Sequence, residues 1–178
     1  MGVADFKPHL VRMAPPKSRL DAVDPALGMR QRIYLHPGEI YVSAEPCQIS
    51  TILGSCVSIC LFDPGRLAGG MNHFLLPTSR EREAASQRFA DVATVVLLEK
   101  LLAMDCRLER ITAKIFGGSA LFQAKDRYAE SLGAKNVAAA VHLMENAGIS
   151  IVAQETGGDH GRKVVFDTDD GVAWSRRV

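Results

Sequence analysis

Disulfides, metals and membranes find little to work with in these 178 residues. The four cysteines, Cys47, Cys56, Cys60 and Cys106, are too few and too scattered for a disulfide framework. None belongs to a CxxC pair or to a Cys/His cluster with zinc spacing, so no metal is expected. What four unpaired cysteines leave open is a free, reactive thiol. Lys+Arg total 21 against Asp+Glu 20, a net charge of +1, which removes any global electrostatic reason to expect nucleic acid, an acidic substrate or an anionic membrane surface. No stretch approaches the roughly 20 consecutive apolar residues of a membrane span, and the opening MGVADFKPHL lacks the apolar centre of a secretory signal. The expectation is a cytoplasmic protein with no membrane insertion. Gly69-Gly70 and Gly117-Gly118 complete neither GxGxxG nor a phosphate loop, so no nucleotide is assigned; they read as bulges or close backbone approaches.

What is present is an ordinary globular composition, 47% hydrophobic and 23% charged, enough for one domain with a sizeable core. Residues 1–30 hold four of the eight prolines and no sustained period, and read as a flexible or loosely packed extension. From residue 31 to 178 the pattern is that of a folded domain. Short strands are expected at 33–35, 40–42, 49–53 and 57–62, then an extended run from Leu67 to Leu76 that Pro77 closes. A helix is expected from about Ser86 to Met104, with Phe89, Val92, Val96, Leu97 and Leu101 as its apolar face. A second runs from about Gly133 to Ala147, with Val137, Ala140, Val141 and Met144 at helical spacing and Gly148 as its C-terminal cap. Strands at 111–115, 149–153, 163–167 and 172–174 complete the order, which argues for an α+β or α/β layered sandwich.

Chemistry concentrates in Leu53-Gly54-Ser55-Cys56 and Gly69-Gly70-Met71-Asn72-His73. A cysteine just after a Gly-Ser turn sits where backbone N–H groups converge, an arrangement that lowers a thiol pKa and stabilises an oxyanion. Such a nucleophile needs a base within hydrogen-bond reach. If Pro64-Gly65 is the loop of a two-residue hairpin, Asp63 pairs with Arg66 and Cys56 falls opposite His73, with Cβ atoms about 4.5–5.5 Å apart. The alternative is a longer loop, because Pro64 cannot take the positive φ of the favoured hairpin turn. A slip of one residue would place the two side chains on opposite faces unless a bulge corrected it. Against the functional reading, a lone buried cysteine is most often an inert small hydrophobe, the reading kept for Cys47, Cys60 and Cys106. A lone strand histidine is more often structural, and His142, on the polar face of the second helix, is expected to be solvated.

Several ordered motifs carry a resemblance. Ser50-Thr51-Ile52-Leu53-Gly54-Ser55-Cys56-Val57, Asp63-Pro64 and Gly69 to Pro77 resemble the signature of the CheD family, the chemoreceptor glutamine deamidases of bacterial chemotaxis. Ala113-Lys114-Ile115-Phe116-Gly117-Gly118-Ser119-Ala120-Leu121-Phe122 is similar to that family's AKIFGGAxMF segment. Gly133-Ala134-Lys135-Asn136-Val137 resembles its G-x-R/K-N-V, and Glu155-Thr156-Gly157-Gly158 its D-x-G-G. The resemblance implies a layered β-sheet core flanked by helices, related to cysteine-type toxin deamidases. It implies a protein-glutamine glutaminase that hydrolyses receptor glutamine to glutamate through a Cys thioester, with no organic cofactor and no metal. Cys56 matches the family's nucleophile and His73 its base, with the amides of Gly54 and Ser55 at the oxyanion. The third, hydroxyl-bearing member falls on one of two neighbours: Ser50 by counting back from the cysteine, Thr51 by residue type. Their side chains point to opposite faces of a strand, so only one can serve. The implied partners are the cytoplasmic helical regions of methyl-accepting chemotaxis receptors and, in some bacteria, a CheC-type phosphatase. The competing readings are a weakly catalytic or non-catalytic binding module for such a phosphatase or for a receptor array, and a cysteine amidase of other specificity.

Overall fold

The computed structural model describes residues 30–79, 86–120 and 131–178. The expected extension at residues 1–30 therefore lies, but for Arg30, outside the described residues.

Nine strands and two α-helices are found among the described residues. The strands form two mixed sheets. One has the order β1 (Gln31–Tyr34), β3 (Cys47–Leu53), β8 (Arg162–Asp167), β9 (Ala173–Arg177). The other has the order β2 (Ile40–Ser43), β5 (Ala68–Asn72), β4 (Val57–Asp63), β6 (Thr112–Gly117), β7 (Ser150–Thr156). Both helices, α1 (Ala90–Leu102) and α2 (Leu132–Asn146), pack on the five-stranded sheet. The result is a three-layer sandwich of helices, five-stranded sheet and four-stranded sheet. The five-stranded sheet is thus covered on both faces, which explains why β4 carries apolar or small residues on both of its sides. Val57, Ile59 and Leu61 join the helix-side core, while Cys56, Cys60 and Phe62 face the four-stranded sheet.

Helix α2 begins and ends where the residue chemistry dictates. Ser131 caps it, its hydroxyl accepting from the Ala134 N–H at 3.1 Å. Gly148, at φ +68°, ends it in a Schellman arrangement, with Gly148 N–H bonded to Glu145 O and Ile149 N–H to Met144 O. The helix also joins parallel neighbours β6 and β7, the crossover such a pair requires.

Three expectations need correction. The face α1 buries is Ala90, Ala93, Thr94, Leu97 and Leu101, whereas Phe89, Val92 and Val96 are only partly covered. This helix is apolar nearly all round, so periodicity could not tell which side was inside. The extended run from Leu67 is a strand only from Ala68 to Asn72. The hairpin, finally, has no two-residue loop: Asp63 pairs with Ala68 around Pro64-Gly65-Arg66-Leu67, and Leu67, not Pro64, takes the positive φ of +51°.

That register has a consequence for the site. With Cys60 opposite Met71 and Val57 bridged to Phe74, His73 lies opposite Ser58 instead of Cys56. The displacement is two residues, an even number, so Cys56 and His73 stay on the same face of the sheet, toward the four-stranded layer. They are diagonal neighbours, a relation that separates backbones by about 7–8 Å and is spanned by long side chains.

Candidate active site

The segment Gly54-Ser55-Cys56 is where the chain leaves one sheet and enters the other: β3 ends at Leu53 and β4 begins at Val57. The loop from His36 to Glu39, which joins β1 to β2, makes the same passage at the same end. It is tied to the His73 segment by Gly38 N–H to His73 O at 2.7 Å and His73 N–H to Glu39 O at 3.0 Å. Two inter-sheet crossings and the end of β5 thus converge around Cys56 and His73.

Strand alternation sends the two hydroxyls to opposite faces of β3. Along β3, Cys47, Ile49, Thr51 and Leu53 are buried between the sheets, while Gln48, Ser50 and Ile52 look the other way. The Thr51 hydroxyl lies 2.8 Å from His73 Nδ1 and 2.8 Å from Leu35 O. Ser50 Oγ reaches Ile33 O at 3.4 Å and has no bond to the imidazole. Thr51 has a single hydroxyl proton, and Leu35 O, which can only accept, takes it. Thr51 Oγ1 then accepts from Nδ1–H, which fixes the neutral tautomer with the proton on Nδ1 and leaves Nε2 as a bare lone pair. His73 Nε2 is buried and has no hydrogen-bond partner among the described residues.

The electrostatics differ from the sequence expectation. Burial pushes the His73 imidazole down to about 4, opposed by hydrogen bonding to the Leu35 carbonyl and by the Glu39 carboxylate, and reinforced by His36. The half-buried Cys56 thiol is pushed up by burial, its own backbone N–H counteracting only in part. A Gly-Ser turn alone was expected to lower the thiol. It does not suffice, because the pair lies between two apolar layers that disfavour charge on either member. At rest the site holds a neutral thiol and a neutral imidazole. Cys47, Cys60 and Cys106 are buried, as expected of inert cysteines, with burial raising all three. His142 is exposed on α2, as expected, 2.9 Å from the Asn146 amide.

The crossover loop itself is held by its carbonyls. Gly118 N–H donates to Cys56 O at 2.8 Å, Ser119 N–H to Gly54 O at 2.8 Å, and Asn136 Nδ2 to Ser55 O at 2.9 Å. Close approach explains Gly117 and Gly118. Gly117 has φ +108°, and a Cβ there would clash with Cys56 O; Gly118 has φ +70°, and its Cβ would clash with the Val137 side chain. The loop after β7 braces this layer in turn: Gly157 N–H bonds to Gly117 O, and Ser119 Oγ donates to His160 O at 2.6 Å and lies 3.2 Å from Gly157 O. Buried Arg162 donates to Glu155 O and Gly157 O. With all three loop carbonyls occupied, the N–H groups of Gly54, Ser55 and Cys56 donate to no backbone carbonyl among the described residues. Sequence reasoning missed these supports as a group, although the motifs containing Gly117-Gly118, Asn136 and Gly157-Gly158 had each been visible.

Among the described residues no group of three or more His, Cys, Asp or Glu could hold a metal ion, and no helix is long and apolar enough to cross a membrane.

Comparison with known proteins agrees with the motifs. Residues 75–177 match the family model described as CheD chemotactic sensory transduction. A "probable chemoreceptor glutamine deamidase CheD 1" of Anaeromyxobacter dehalogenans is 46% identical over 86% of this chain and 89% of its own length. Proteins named "probable chemoreceptor glutamine deamidase CheD" in Trichlorobacter lovleyi and Methanococcus vannielii are 39% and 40% identical. The former alignment covers 80% of this chain and 88% of the relative, the latter 75% and 87%.

Proposed function

This chain belongs to the CheD family, and from that premise we propose that it is a chemoreceptor glutamine deamidase, hydrolysing receptor glutamine side chains to glutamate in the cytoplasm. The observation that carries the reading is the Thr51–His73 bond at 2.8 Å, which leaves a buried, unpartnered Nε2 on the sheet face that also bears Cys56.

The chemistry follows from neutral partners. As the carboxamide carbon of a receptor glutamine reaches Sγ, His73 Nε2 takes the thiol proton and the C–S bond forms. The carbonyl oxygen, now an oxyanion, is held by the N–H groups of Gly54, Ser55 and Cys56, none of which donates to a backbone carbonyl among the described residues. The imidazolium returns its proton to the amide nitrogen, the C–N bond breaks and ammonia leaves a thioester. His73 then deprotonates a water that attacks the thioester carbon, releasing glutamate and the thiol. Thr51 holds the ring in the required tautomer throughout, and as a neutral hydroxyl it stabilises the imidazolium less than a carboxylate would. Because both groups start uncharged, the proton moves only when substrate is in place, which keeps the resting thiol unreactive. That restraint also favours the second reading, a module of low turnover engaged by a CheC-type phosphatase.

Intact and peptide mass spectrometry of a chemoreceptor cytoplasmic fragment incubated with this protein separates the two. Conversion of glutamine to glutamate at discrete sites is expected, with the Cys56→Ala protein slower by more than about a thousandfold. A folded wild-type protein that converts nothing overturns the enzyme reading in favour of the binding module.

A further inference from the structure

We propose that Asn136 is a positioning residue for the thiol loop, a single amide that locks the nucleophile's segment to the base's segment; the inference rests on the deamidase reading above. Asn136 is fully buried on α2, in the stripe it shares with Gly133, Ala140 and Met144, where an apolar side chain would fill the space more cheaply. Its Nδ2 donates twice, to Ser55 O at 2.9 Å and to Leu75 O at 2.8 Å. Ser55 precedes Cys56 by one residue, and Leu75 follows His73 by two. Both contacts are carbonyl oxygens, so the amide orientation is fixed by what it touches. Its Oδ1, by contrast, has no partner among the described residues. A buried carboxamide that uses both N–H groups and leaves its oxygen idle is kept for donation, and what it donates to is the backbone on either side of the reacting pair.

The role is specific because of where the other two loop carbonyls go. Gly118 and Ser119 hold Cys56 O and Gly54 O through main-chain amides of one strand end. Among the described residues only Ser55 O is held by a side chain, and that side chain also reaches Leu75 in the segment that follows His73. With Gly54 O and Ser55 O drawn toward β6 and α2, those two peptide planes turn the N–H groups of Ser55 and Cys56 the other way, toward the face where an oxyanion would form, while the plane of Cys56 O turns the Val57 N–H to Phe74 O. Without the amide, the Ser55 peptide is free to rotate. The oxyanion donors then lose their alignment and the thiol gains access to water.

The test compares wild type with Asn136→Ala in two assays, alkylation of Cys56 by iodoacetamide across pH and steady-state deamidation of a receptor fragment. Alkylation needs no substrate and reads the thiol even if the deamidase assignment fails. Deamidation kcat is expected to fall by about 10- to 100-fold with KM changed by less than about threefold. Over the same change, alkylation below pH 9 should become faster, because a more hydrated thiol ionises more readily. A purely structural role would lower thermal stability while leaving the alkylation profile and the kcat of the folded fraction as in wild type, and that result overturns the proposal. If Asn136→Ala does not fold, Asn136→Ser, which keeps one donor, is measured the same way. A wild-type protein with no deamidase activity but a variant with the altered alkylation profile would retain the clamp and remove the function assigned above.

Discussion

The β4–β5 hairpin has two ends, and they treat buried polar groups in opposite ways. At the turn, the Asp63 carboxylate is wholly buried yet accepts from Gly65 N–H at 2.8 Å, from Arg107 N–H at 2.9 Å, and from Arg110 Nε and Nη2 at 2.9 and 2.8 Å. The Arg110 guanidinium beside it, aided by the two amides, holds its pKa down at about 2, so the charged form is the stable one. At the open end, His73 Nε2, Asn72 Nδ2 and Asn136 Oδ1 are equally buried but unpartnered among the described residues. There burial drives both titratable groups toward neutrality. Burial is common to the two ends; completeness of pairing is not. The satisfied end is scaffold, and the end left short of partners is where a substrate could supply them.

The largest effect should come from removing the unpartnered imidazole. His73→Gln is expected to lower deamidation by on the order of a thousandfold. It should also change stability with pH in a defined direction. Because His73 titrates at about 4 when folded and near 6.5 otherwise, the unfolded chain binds a proton that the folded chain refuses between those values. Wild-type stability from this group therefore falls as pH drops from 6.5 toward 4 and levels off below. Asp167, raised to about 6 by burial, acts with the opposite sign, its contribution being full below about 4 and lost as pH rises through 6. The difference between wild type and His73→Gln isolates the histidine: urea unfolding should show wild type losing on the order of 2 kcal/mol relative to the variant between pH 7 and 4.5. A difference that does not vary with pH would mean that His73 is not held neutral by its surroundings.

Asp63→Ala probes the other end. It removes the buried carboxylate that the Gly65 and Arg107 amides and the Arg110 guanidinium share as acceptor and should cost about 2–3 kcal/mol, read as a lowered denaturation midpoint. Turnover of the folded protein should stay within about twofold of wild type, since nothing at the turn touches the site. A kcat loss without a stability loss would erase the distinction between the two ends.

How far the sequence went follows the same division. The layered α+β architecture was legible because period-two and period-3.6 patterns report burial directly, and α2, expected from about Gly133 to Ala147 with Gly148 as its cap, runs from Leu132 to Asn146. Cys56 and His73 were singled out by residue type and motif. Their register was not, because it depends on how Pro64 deflects the turn. The ionisation of the pair was also misjudged, since a local Gly-Ser motif says nothing of two sheets closing over it. Nor could spacing reveal that Gly118, Ser119 and Asn136, at least 62 residues downstream of Cys56, all donate to the segment Gly54-Ser55-Cys56.

The finest comparison is between adjacent residues on β3. Thr51→Val keeps the β-branched shape but removes the oxygen that accepts from Nδ1 and donates to Leu35 O. The ring then loses the contact that fixes its tautomer, and Nε2 is no longer reliably the bare nitrogen. Turnover should fall by about 10-fold or more, with KM little affected because the hydroxyl does not face substrate. Ser50→Ala, one residue away, removes only a long bond of 3.4 Å to Ile33 O on the outward face, and kcat should stay within about twofold. A stopped-time ammonia-release assay on both variants decides the matter. If Ser50→Ala were the slower enzyme, the imidazole would have to be oriented from the other side of the sheet, and the inward placement of Thr51 would be packing alone.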